Sequence, residues 1–510
     1  MNPNPTPPVV VIGSGFGGLA AAVRLRAQGH RVLVLEANDQ PGGRASVFVR
    51  DGYSFDAGPT VITAPHLIAE LFTLLGRDPD DYFELMPVDP FYRVEFPDGS
   101  RFDYVGEEDR IIEQIRAMSP GDVDGYRKLA KQAEAIFAVG YDQLVDAPFD
   151  SVWDMMKVVP DMVRLGSYRT VYGMVATFLK DERLRQVFTF QPLLVGGNPF
   201  NTTSIYLLIH WLERKWGVWF PRGGTTAVVK ALVKLLAEVD VEVRCNAPVG
   251  HIEVEGGRAV AVRLEDGTRI PCSAVVSNAD PSTVYTKLID PKHRSTHTDR
   301  SVARKEQSMS LVVGYFGTKS RYADIAHHTI LLGPRYKGLL DDIFGNKVLA
   351  EDFSLYLHRP TASDPSLAPA GGDAFYVLSP VPNDRSGIDW EKVGPAYYDR
   401  ILDFLDAKVM PGVRNDLAVN FHVDPRYFAG RLRSTDGAAF GLEPRLTQSA
   451  WFRYHNRSED VEGLYFVGAS THPGAGVPGV LNTAKVLMKV MPAPAQPLPV
   501  PGPAPRRVAS

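Results

Sequence analysis

At 510 residues the chain is too long for one small core, and at about 100–200 residues per domain it predicts two or three units. Hydrophobic residues make up 45% and charged residues 22%, a globular composition that excludes a disordered or integral membrane chain. A formal charge of -4 leaves no basic field to hold nucleic acid by its phosphates.

The first eight residues carry no Lys or Arg, so the apolar segment that follows is not expected to be a secretory leader. No run approaches the roughly 20 apolar residues needed to span a bilayer. Val9 to Ile12 is a β-branched run ending in Gly13-Ser-Gly15-Phe16-Gly17-Gly18. It leads into a helical pattern closed by Gly29, and a second strand, Arg31 to Glu36, completes a βαβ opening. From about 105 to 220 the sequence reads as helices, an inserted helical domain with Val152, Met155, Met156, Val159, Met162 and Val163 in register. Residues 251–270 alternate and turn at Gly256-Gly257 and Asp266-Gly267, which predicts a β-meander, and Ala274 to Asn278 returns toward a sheet edge. Residues 310–440 mix strands such as Leu311 to Phe316 and Phe375 to Leu378 with a helix from Gly394 to Val409. The Pro-rich stretch 491–510 is expected to be a disordered tail. Cys245 and Cys272 lie too far apart for a CxxC motif, so neither a disulfide nor a structural zinc or other metal site is expected, as suits a reducing cytosol.

Gly13, Gly15 and Gly18 fit GxGxxG between a strand and a helix, where missing side chains permit a tight turn, approach of a pyrophosphate and close helix–strand packing. Glu36 ends the second strand, where a carboxylate accepts ribose hydroxyls; this disfavours a 2′-phosphorylated cofactor without separating NAD from FAD. The second glycine pair and guanidinium of Gly42-Gly43-Arg44 favour FAD, whose pyrophosphate and ribityl chain would pass this loop; the alternative is a surface turn. A buried strand, Gly463 to Val467, precedes the glycine-rich Gly468–Gly479 segment and a helix from about Val480 to Val490. That helix start suits the anionic edge of a reduced flavin, and its alternative is an ordinary strand-to-helix turn.

With these residues the sequence resembles the bacterial-type phytoene desaturases, a carotenoid-biosynthetic branch of the amine-oxidase-like flavoproteins. The resemblance runs from about residue 9 to 490 and rests on Val11 to Leu19, Gln40 to Arg44, Phe55 to Ile62, Leu194 to Phe200, Trp216 to Gly224, Glu351 to His358, Leu446 to Phe452 and Gly468 to Gly479. It implies an α/β fold with a Rossmann-type FAD-binding domain (parallel sheet plus meander), a mixed-sheet substrate domain and a helical membrane-facing lid. The expected segments are 8–85, 221–300 and 441–490 for FAD and 86–220 and 301–440 for substrate. It also implies non-covalent FAD, held by the glycines above, Glu36, Arg44, and Phe16, Gly17, Ala37, Gly58, Pro59, Thr60, Val249, Ala469, Val477 and Pro478. The implied reaction is successive desaturation of phytoene toward neurosporene or lycopene, in a cytoplasmic protein attached to a membrane surface and passing electrons to quinone or oxygen. A later-pathway desaturase, isomerase or ketolase, an amine oxidase and a non-enzymatic binder are the competing readings.

Desaturating an allylic CH2–CH2 unit removes a hydride equivalent and a proton; no side chain accepts hydride, whereas flavin does. Asp154 and Lys157 match a position where the resemblance implies an acid and a base, although Arg is expected in place of Lys157; a solvated ion pair is the alternative. His472 falls beside the expected flavin, as an acid–base group or a loop-stabilising donor, and Glu213 reads as structural. Segment 150–180 with Trp211, Trp216, Trp219 and Phe220 forms either a lid that dips into a bilayer or a plain helical core.

Overall fold

The computed structural model describes residues 7–502. The run Val9–Ile12 is completely buried and lies at the centre of a five-stranded parallel sheet, ordered 464–466, 274–277, 9–12, 32–35 and 242–244. Such a sheet is covered on both faces, which is why its strands are continuous apolar runs rather than alternating ones. Val9, Val11, Val32 and Val34 pack against the helices Phe16–Ala27, Thr225–Glu238 and Val477–Val490. Val10, Ile12, Leu33 and Leu35 point the other way, onto the three-stranded meander Val249–Glu255, Arg258–Leu264 and Arg269–Pro271. Its turns are at the expected glycines, and Gly257 and Gly267 have φ of 82° and 90°.

A second, seven-stranded sheet runs in the order 417–423, 310–318, 373–381, 355–358, 328–331, 92–95 and 101–104. It is mixed: 328–331 pairs parallel to 92–95, and its other neighbours are antiparallel. The long helix Trp390–Lys408 covers one face through Trp390, Tyr397, Ile401 and Leu405. The opposite face, with Leu311, Val313, Tyr315, Tyr376 and Leu378, borders a cavity. The inserted helices include Val123–Gly140, Val152–Leu165 and Leu208–Trp216. Ser151 starts the second with a capping box, its Oγ accepting from the Asp154 N–H while the Asp154 carboxylate accepts from the Ser151 N–H, and left-handed Gly166 (φ 68°) ends it.

One expectation changes. Residues 491–502 of the Pro-rich end are docked, not loose: Leu498 N donates to Gly29 O at 2.8 Å, and the Leu498, Pro499, Pro501 and Gly502 carbonyls accept from the guanidinia of Arg26 and Arg77. Proline removes donors and keeps acceptors, so two buried arginines satisfy a backbone that cannot satisfy itself. Residues 503–510 lie outside the described residues. Of the tryptophan cluster, Trp216 packs edge-on to Phe137 and Tyr141 in the helical core, while Phe220 is completely buried against His327 and His358 at the second sheet. Among the described residues no helix is long and apolar enough to cross a membrane.

Candidate active site

A cavity of about 1080 Å³ runs between the two sheets, glycine-lined at one end and lined by aliphatic and aromatic side chains at the other. At the glycine end, a Cβ on Gly18 would overlap the Gly13 carbonyl oxygen, so this helix can approach the first strand only without a side chain. Gly15 caps the helix Phe16–Ala27 with no side chain reaching its free N–H groups, and the loop opens into the cavity with Gly42 at φ 115°. Gly476 does the same for Val477–Val490. Two helix N-termini without side-chain caps on one cavity present paired donor sets with positive dipole ends, which fits the anionic parts of a flavin dinucleotide.

Glu36 is buried; one carboxylate oxygen accepts from Ser14 N (2.9 Å) and Oγ (2.7 Å), the other from Asn38 N and Nδ2 (both 3.0 Å). The backbone donors fix the carboxylate, and the two side-chain donors are those a ribose diol would displace or share. Arg44 ties the second glycine pair to the distant 434–439 loop, donating from Nε to Ala439 O at 2.6 Å and from Nη2 to Ser434 Oγ at 2.8 Å. Of the expected cofactor residues, Gly13, Gly15, Phe16, Gly17, Glu36, Ala37, Gly42, Gly43, Arg44, Gly58, Pro59, Thr60, Val249, Gly468, Ala469, Val477 and Pro478 all line this one cavity; Gly18 stands behind it as packing.

The expected acid–base residues separate. His472 lines the cavity, buried, with Phe149 edge-on at 4.9 Å and the Leu144 and Ala147 backbone beside its ring. Burial, and then the Arg453 guanidinium, depress it to about 3 against the raising effect of the Leu144 and Ala147 backbone, so the imidazole is neutral, with one nitrogen an N–H donor and the other an acceptor. Asp154 and Lys157 are not brought to the cavity. They face outward as a 3.0 Å ion pair on the helix whose other face, Met155, Val158 and Met162, lines the wall. Asp154 is held below the usual carboxylate range by the Lys157 ammonium and the Ser151 hydroxyl, the chemistry of a helix cap.

Glu213, read as structural in the sequence, is the carboxyl the structure brings to the apolar part of the cavity. It is 1% exposed, accepts from Tyr92 Oη at 2.8 Å through Oε1, and leaves Oε2 unpartnered. Burial pushes it up to about 8. Tyr104 and His210 hydrogen-bond beside it, and burial lowers His210 to about 3, so the surrounding network is neutral. In the sequence Glu213 sits at the end of an apolar helical face, and nothing local shows that Tyr92, 121 residues away, will partner it.

Residues 16–485 match the model of the family described as flavin containing amine oxidoreductase. The chain is 48% identical over 485 residues to a lycopene-forming phytoene desaturase of Pantoea ananas, covering 95% of this chain and 99% of that protein. It is 44% identical over 489 residues to a neurosporene-forming phytoene desaturase of Rhodobacter capsulatus, covering 95% and 93%. An oxidoreductase structure from Methanosarcina mazei superposes with a TM-score of 0.66 at 16% identity, covering 94% of this chain and 99% of that one, a likeness of fold. The chain belongs to the flavin-containing amine oxidoreductases and, within them, to the bacterial phytoene desaturases.

Proposed function

We propose that this protein is an FAD-dependent phytoene desaturase that dehydrogenates 15-cis-phytoene in successive steps toward neurosporene or lycopene. The observation that carries the reading is the continuity of one cavity from a dinucleotide cradle into a long apolar chamber, in a chain 48% identical to a lycopene-forming relative. Bound FAD supplies the hydride acceptor that no side chain provides. Gly13, Gly15, Glu36 and Arg44 would hold its adenosine and pyrophosphate half, and the start of Val477–Val490 its flavin edge. Leu193, Ile205, Leu311, Ile330 and Leu339 exclude water and take a hydrocarbon chain by apolar burial alone. In its ionised form, the minor one at neutral pH because burial raises it to about 8, Glu213 would take through Oε2 the proton lost with each desaturation. An amine oxidase is less well supported, because a charged amine would have to leave water for this wall.

The helix Val152–Leu165 supports a membrane-side entrance. It exposes Trp153 (72%), Val163 (62%) and Met156 (54%) to solvent, while Met155, Val158 and Met162 face the cavity. A water-insoluble substrate would then pass from bilayer to cavity beside one helix. Quinone or oxygen would reoxidise the flavin. The test is to mix FAD-loaded protein with phytoene-containing vesicles under each acceptor. New visible absorbance from extended conjugation is expected; peroxide from amines without colour, or no change with either, would overturn the reading.

A further inference from the structure

Behind the cavity floor, three histidines meet at one end of an antiparallel strand pair. His328 opens the strand His328–Leu331 and is the cross-strand partner of His358, which closes Leu355–His358; His327 precedes them and accepts the Arg359 N–H through its carbonyl at 2.9 Å. All three are buried, at 5%, 0% and 0% exposure, and their ligand-capable nitrogens lie within 4.8 Å of one another. Their orientation is set from outside the cluster. Ser363 Oγ sits 2.7 Å from His327 Nδ1, and Tyr356 Oη 2.6 Å from His328 Nδ1. Each bond leaves the remote Nε2 without a partner, and of the two His358 nitrogens one faces the His327 carbonyl and the other has no partner.

Buried imidazole nitrogens are ordinarily hydrogen-bonded, and three in one place without a partner are a debt of unmet polarity. A hydrogen bond at Nδ1 with a free Nε2 aimed inward is the arrangement by which an outer hydroxyl or carbonyl orients a metal-ligating histidine. We infer that His327, His328 and His358 form a three-imidazole site for one late first-row transition-metal ion, copper(I) in preference to zinc(II).

The preference follows from charge. Imidazole is a neutral ligand, so three of them bring no charge of their own to offset the ion's. The fixed charge acting on the triad is the Arg359 guanidinium beside His327, itself 3.8 Å from the Asp373 carboxylate, so that pair leaves no spare negative charge for an ion. A divalent ion would leave two uncompensated positive charges in a dry core beside an arginine, whereas a univalent ion leaves one. Phe220, 4.7 Å from His327, and Tyr376, 4.9 Å from His358, close the remaining sides with rings, which suits low coordination by nitrogen alone. The ion would fasten two strands below the cavity and fix Tyr356, whose hydroxyl also meets Thr60 Oγ1 at 2.8 Å on the cavity wall.

The test uses the full-length flavin-loaded protein, titrated anaerobically with copper(I) against a chromophoric chelator and separately with zinc(II). One copper per chain is expected, with X-ray absorption showing three imidazole nitrogens at about 2.0 Å. H327Q and H358Q should weaken binding by more than about 100-fold, Y356F by about 10–100-fold, and H293Q, on a distant surface turn, not at all. Equal copper binding by wild type and H358Q overturns the site, as does failure of the wild type to bind either ion; tighter zinc than copper overturns the charge assignment. Should a variant lose its flavin and fold, the wild-type absorption spectrum decides alone, and a first shell without three imidazoles refutes the inference.

Discussion

The two ends of the cavity are built by opposite means. The glycine end removes side chains so that backbone donors and helix dipoles face the cavity, and its geometry is local: Gly13, Gly15 and Gly18 fall within one strand–turn–helix unit. The apolar end adds side chains from at least four separated segments, and its one buried carboxyl is half satisfied by a tyrosine from another element. The first end is thereby suited to hold a polar cofactor by backbone, the second to hold a hydrocarbon while keeping a single proton-bearing group dry. In the proposed function substrate specificity would rest on the second end, and so on tertiary packing rather than on any motif.

The sharpest way to break this contrast is at Gly18. Gly18→Ala drives a Cβ into the Gly13 carbonyl oxygen, and a rigid backbone cannot yield, so a loss of about 3 kcal/mol or more is expected together with loss of flavin absorbance from the purified protein. Near-native melting with full flavin content would show that close helix–strand approach is dispensable.

Glu213→Gln probes the other end. The flavin should remain bound while turnover falls by about 10²–10⁴-fold, the range for loss of a proton-transferring group, read as conjugation formed per minute. Because the folded-state pKa, about 8, lies above the ordinary carboxyl value of 4.5, this group favours the folded state below pH 4.5, and that contribution is lost as pH rises through 8. The wild type should therefore lose on the order of a few kcal/mol relative to E213Q across that window, measured by denaturant unfolding at several pH values. Parallel pH curves for the two proteins would mean Glu213 is ionised in the folded chain.

Smaller effects test the outer face of the wall. Trp153→Glu with Met156→Glu should lower the fraction of protein sedimenting with liposomes several-fold and leave melting unchanged, since both side chains are solvent-exposed; unchanged sedimentation would remove the membrane role from this helix. Asp154→Asn should change turnover less than about two-fold, and Asp154→Ala should cost about 1 kcal/mol through the lost cap. A large fall in turnover with full flavin and intact melting would return Asp154 to the catalytic list.

How far the sequence could be read follows the same division. The βαβ opening, the meander, both glycine pairs and the C-terminal strand–loop–helix were legible because each is a short-range pattern with a short-range cause: β-branched runs, turn glycines, helix starts. The placing of Asp154 and Lys157 was not legible, because i,i+3 spacing states only that two side chains share a helix face, not which face meets the cavity. The tryptophans were ambiguous for the same reason. The tail was misjudged because composition reports that a segment cannot order itself, and is silent about carbonyls docking on arginines elsewhere.

By itself, then, the sequence determined the cradle: which glycines must be bare, where a ribose carboxylate falls, and where two helices start without side-chain caps. Tertiary structure alone decided the chamber, because burial is a property of the whole fold. Only when the seven-stranded sheet closes over the inserted helices does Glu213 lose its water and become a weak acid, and only when strands 328–331 and 355–358 pair do three histidines, His327 to His358 at the extremes, turn toward one another.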